Sequence, residues 1–131
     1  MTGYTYPDTR EAIWLIVETE QFAGLQGTPF YHLTVDFEKH LPAVQIIMLT
    51  GTEGFLSRVD RVQVDVYGVG ADADDYAKAL HTRLLGENLT VADVGLFDSI
   101  ASELVPHDVP YPSDRTNVSS ATVRATTRPK I

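Results

Sequence analysis

Between Arg58 and Gly86 the chain reads RVDRVQVDVYGVGADADDYAKALHTRLLG, and this run constrains the fold more than any other part of it. Strict alternation places Val62, Val64 and Val66 on one sheet face and Arg61, Gln63, Asp65 and Tyr67 on the other. Gly68 and Gly70 are expected to break the strand, and Asp72 or Asp74 to cap the helix that follows. On that helix Tyr76, Ala77, Leu80 and Leu84 fall at i, i+1, i+4 and i+8, one apolar stripe. A sheet with a helix lying on it is therefore the scaffold to expect.

The rest of the chain extends this pattern. Asp8 follows Pro7 and precedes Glu11 by three residues, which predicts a capped helix with Ile13, Trp14, Val17 and Leu25 facing inward and a fade near Gly24. Residues 26–42 are broken by Gly27 and Pro29, with HLTVDFEKHL readable as strand or loop; an insertion or arm that meets a partner is expected there. Ala43 to Thr50 (AVQIIMLT) is apolar on both faces, as in a central strand, and the turn through Gly51 and Gly54 joins it to the Arg58–Tyr67 strand as an antiparallel hairpin. Gly95 to Val105 is readable as strand or short helix. Pro106, Pro110 and Pro112 predict an extended loop around Tyr111, and Asn117 to Thr127 a last strand. The order helix, hairpin, helix, hairpin describes a single α+β domain: a mostly antiparallel sheet of about four strands with helices packed on one face. The opposite face, with Arg61, Gln63 and Tyr67, is then left for another subunit.

Composition narrows the partners. A chain of 131 residues fits one domain, and it has no apolar run long enough to span a membrane. Its start is acidic rather than basic and apolar, unlike a signal peptide. The absence of cysteine removes disulfide and thiolate chemistry and fits a reducing cytoplasm, so the triplets Asn88-Leu89-Thr90 and Asn117-Val118-Ser119 are read as chance. A net charge of −8 disfavours nucleic-acid binding, which needs phosphate-neutralising Lys and Arg. The charge is uneven: residues 1–57 hold seven acids and two bases, whereas residues 115–131 hold four bases and no acid. A basic end on an acidic body suits contact with an acidic neighbour, such as a second copy, or else a solvated tail.

Motifs for chemistry are weak. His32, His40, Asp36 and Glu38 form the one cluster of metal-ligand types, with no spacing that makes them converge, so solvated polar residues are the simpler reading. Asp72, Asp74 and Asp75 lack the glycine and terminal glutamate of a calcium loop, and a helix start already explains them. Gly68-Val69-Gly70 lacks both the third glycine of a dinucleotide turn and the Gly-Lys-Ser/Thr of a phosphate loop. No serine has a nucleophile-elbow context. No catalytic residue, cofactor or metal site is assigned. Among the aromatics, Trp14 reads as core, Tyr4 and Tyr6 as contacts, and Tyr111 between two prolines as either an interface knob or exposed filler.

Two textures, RVDRVQVDVYG followed after a short turn by DDYAKALHTRLL, and later VPYPSDRTNVSSATVRATTRP, resemble the tail terminator proteins of long-tailed bacteriophages. The matching positions are Arg61, Tyr67-Gly68, Ala77-Lys78-Ala79-Leu80, Pro110-Tyr111-Pro112, Arg115, and Arg124 or Arg128, after an opening helix with an acidic cap and a Trp. The resemblance is one of pattern over most of the chain; residues 26–42 match nothing in it. It implies a virion subunit at the tail–neck junction, assembled in the host cytoplasm into a hexameric ring. Such a ring caps the head-proximal end of the tail tube, stops addition of the major tube protein, and offers a joining surface to a head-completion or neck protein. Genome DNA would pass through its lumen without specific binding, and an acidic lumen would repel it. In a head-to-tail ring each subunit shows two different patches. The expected acidic patch is Asp72, Asp74 and Asp75; the expected basic one is Arg115, Arg124, Arg128 and Lys130, with Tyr111 as an aromatic contact. The competing expectations are another head–tail connector, a component of a related contractile machine, or a small cytoplasmic ligand-binding domain or enzyme, which would need an apolar pocket holding His81 or His107.

Overall fold

The computed structural model describes residues 5–54 and 56–129. Asp8 starts the first helix as the sequence predicts, its carboxylate accepting the backbone N–H groups of Arg10 and Glu11 at 3.0 and 3.3 Å. Helix α1 (Thr9–Thr19) buries Ala12, Ile13, Ile16 and Val17. It ends well before the expected fade at Gly24. Strands β1 (Gln21–Phe22) and β2 (Leu25–Gln26) form a tight hairpin there. Ala23 and Gly24 turn it with φ of 53° and 74°, and the Gln26 side-chain amide donates to the helix-end carbonyls of Val17 and Glu18.

The chain continues through β3 (Thr28–Phe30), a 3-10 turn (Phe37–His40), β4 (Ala43–Met48), β5 (Thr52–Glu53), β6 (Arg58–Val69), α2 (Asp72–Leu84), β7 (Gly86–Val91), β8 (Gly95–Val109) and β9 (Thr116–Thr127). The expected four-stranded, mostly antiparallel α+β sheet with helices packed on one face is not what forms. Strands make up 48% of the described residues, and they build a curled, mixed half-barrel. Its order is β3-β4-β6-β9-β8-β7, with β5 also on β6 and with β3 parallel to β4. The added strands left little trace in the sequence. Strands β3 and β5 are two or three residues long, too short for alternation to register. Strand β7 is a largely exposed, polar edge with Asn88 at φ 51°. Strand β8 continues past Pro106 to Val109, where a loop was expected. Two register shifts against β9, between Ser102 and Leu104 and between Leu104 and His107, mark bulges, one of which accommodates the proline.

Alternation in β6 holds along its length. Val62, Val64 and Val66 lie in one core with Val123 and Ala125 of β9, Ile13 and Val17 of α1, Tyr76, Leu80 and Leu84 of α2, and Phe97 and Ile100 of β8. Gly68 does not break the strand, which runs on to Val69; Gly70 makes the turn at φ 57°. Gly68 has a different role. A Cβ there would stand 2.7 Å from the Ala73 nitrogen, so its bareness lets α2 fold back against the strand. On the other sheet face Ala43, Tyr67 and Val118 form a second core with Phe30, Leu33, Phe37, Leu41 and Tyr111. The expected arm at residues 26–42 thus supplies much of the cover for one end of its own sheet, with Val35 fully exposed at its tip.

Candidate functional site

The two ends of β6 differ in charge. At the Val69 end stands the start of α2 with Asp72, Asp74 and Asp75. Neither Asp72 nor Asp74 caps the helix, because the N-cap position is Ala71 and makes no side-chain bond. The aspartates fall one to four positions past the cap, where they complement the helix dipole instead. Asp74 is held by Lys78 at 2.7 Å and by the Ser119 hydroxyl at 3.3 Å. The hydrogen bond and charge of Asp74 push the Lys78 ammonium pKa up, with further help from Asp75 and Asp108. Asp72, Asp75 and Asp108 are exposed and have no hydrogen bond or ion pair of their side chains among the described residues.

At the other end of β6, on the face away from Val62, Val64 and Val66, Arg61 lies directly across from Arg124 of β9. The Arg61 guanidinium grips Glu103 with both edges, Nε to Oε1 at 2.9 Å and Nη2 to Oε2 at 2.6 Å. Glu103 is the extra residue of the first β8 bulge, which aims it at Arg61. The hydrogen bond from Arg61, then the charges of Arg61 and Arg124, hold its carboxyl below the usual range against partial desolvation. Arg124 is exposed, and its side chain makes no ion pair or hydrogen bond among the described residues. Between the two arginines opens a cleft of about 450 Å³, also lined by Thr50, Thr52, Ser99 and Thr126, with no carboxylate among its described lining residues.

The expected basic patch is therefore divided. Arg124 joins Arg61; Arg128 clasps Asp98 at 2.9 to 3.1 Å; Arg115 sits in the loop before β9, at the acidic end of the sheet. Lys130 and Tyr4 lie outside the described residues. Tyr111 is half-buried: its ring packs edge-on against Tyr67 at 5.5 Å and its hydroxyl donates to Glu38 at 3.4 Å. Trp14 is likewise half-buried, against the Tyr31 ring at 4.7 Å.

A third feature escaped the sequence reading. Strand β7 pairs only with Gly95–Ile100 of β8, so residues 101–109 have β9 on one side and no strand on the other among the described residues. Leu104, Val105 and Val109 are 52%, 65% and 37% exposed along this open edge. Reading Pro106 as loop hid it; the apolar Leu104-Val105 pair was the available signal.

The histidines are separate. His81 is buried, with Nε2 2.8 Å from the Ser102 hydroxyl, and burial pushes its pKa down. It borders a cavity of about 10 Å³, room for one water and not for a substrate. His107 is exposed, and His40 lies 3.8 Å from Asp36. Among the described residues no three metal-ligand side chains converge, and no helix is long and apolar enough to cross a membrane. Comparison with protein-family models finds no match, and comparison with curated proteins finds none either.

Proposed function

We propose that this chain is a tail-terminator-type virion subunit that assembles head to tail into a hexameric ring on the head-proximal end of a tail tube. The ring stops addition of tube protein and presents a face to a head-completion protein, while DNA passes through its lumen. The observation that carries this reading is the open β8 edge with Leu104, Val105 and Val109. Unpaired backbone groups beside exposed apolar side chains are a template for another chain, and a closed ring removes such an edge from solvent. The bulges and Pro106 bend and interrupt the edge, which favours one shaped partner over open-ended strand addition.

The mechanism is steric. One ring face matches the last ring of the tube, and the other offers the tube subunit nothing to pair with. Native mass by light scattering tests assembly, with a species near six times 14.5 kDa expected. Loss of the protein from the virus is expected to give overlong tails and unjoined heads. Tails of normal length with unjoined heads would instead assign the chain to another neck component.

A further inference from the structure

We infer that the cleft between Arg61 and Arg124 is a carboxylate socket, filled in the assembly by Asp72 and Asp75 at the α2 start of the next copy. Three observations carry it. First, Arg61 and Arg124 are direct cross-strand partners, an arrangement that repels unless an acid intervenes. Glu103 supplies one carboxylate, and both of its oxygens are taken by Arg61. One positive charge is left over, on Arg124. Second, the cleft is roomy at about 450 Å³, and its remaining polar lining is hydroxyl, from Thr50, Thr52, Ser99 and Thr126, donors suited to carboxylate oxygens.

Third, the complementary group sits where head-to-tail association would use it. Asp72 and Asp75 are exposed beyond the far end of the same β6 strand. At ~3.3 Å per residue the stretch from Arg61 to Val69 spans roughly 26 Å, too far for one subunit to satisfy both patches itself. Two unlike, complementary patches at opposite ends of one protomer are what a heterologous ring requires.

This inference rests on the ring reading, and the test separates the two. Native mass and association are measured for the wild type, for Arg124→Glu, for Asp72→Arg with Asp75→Arg, and for all three changes together. Each reversal alone is expected to weaken association at least about tenfold, and the combination to restore it. Arg124→Gln serves as the folding control. It removes the repulsion from Arg61 together with the attraction to Glu103, so its urea midpoint should stay close to that of the wild type while its association still falls. Undiminished assembly of Arg124→Glu would overturn the socket and leave the ring standing. A wild type that stays monomeric at millimolar concentration would overturn the self-contact, and tail length in a deletion virus would then decide the ring reading alone. Assembly that survives while Arg124→Glu abolishes binding of a short DNA duplex would assign the cleft to phosphate and overturn the proposal.

Discussion

At the residue scale, position relative to a helix end decides what an aspartate does. Asp8 stands one residue before α1 and caps it, whereas Asp72 stands one residue inside α2 and does not. Asp8→Ala is therefore expected to cost about 1 kcal/mol in urea unfolding. Asp72→Ala should stay within about 0.5 kcal/mol, as a surface change does. Equal costs would count against the assigned cap positions. His81 gives a prediction in pH. Burial lowers its pKa in the folded chain, so the unfolded chain binds the proton more readily. Its contribution to stability is complete above the unfolded value of about 6.5 and is lost as pH falls below that towards the folded value. Unfolding of wild type and His81→Gln at pH 7.5 and 5.5 should show the wild type losing more on acidification; a constant difference between them would refute this.

At the scale of elements, two devices matter. Gly68 is the contact point between β6 and α2, and Gly68→Ala places a methyl against helix backbone that has little room to move. A loss of roughly 1–3 kcal/mol is expected in thermal or urea unfolding. Strand β8 is the second device. Its first part, Gly95–Ile100, pairs with β7, β9 joins from Ser99 onward, and residues 101–109 are left as an open edge. Lysine at Leu104 and Val105, both exposed, should leave unfolding within about 0.5 kcal/mol of wild type while abolishing the assembled species in light scattering. Assembly that survives both lysines would remove the edge from the contact.

For the whole molecule, the acidic excess suits the proposed ring, whose lumen would have to pass nucleic acid without holding it. Once an assembly is isolated, lysine in place of acids lining its lumen should slow DNA exit; unchanged release would dismiss that role for the charge. The two helices, the Val62–Val66 face, β4 and β9 were all legible in the chain, because each is long enough for its period to show. The acidic cluster was legible too, as a composition beside a helix start. The curled seven-strand sheet was not, since β3, β5 and β7 are short or polar and exist only through pairing with neighbours. Nor was the meeting of Arg61, Glu103 and Arg124, which needs the register of three strands and a bulge. Periodicity is a local property and is written in the sequence. Register, edges and the gathering of distant charges depend on which strands lie side by side, and only the tertiary structure decides that.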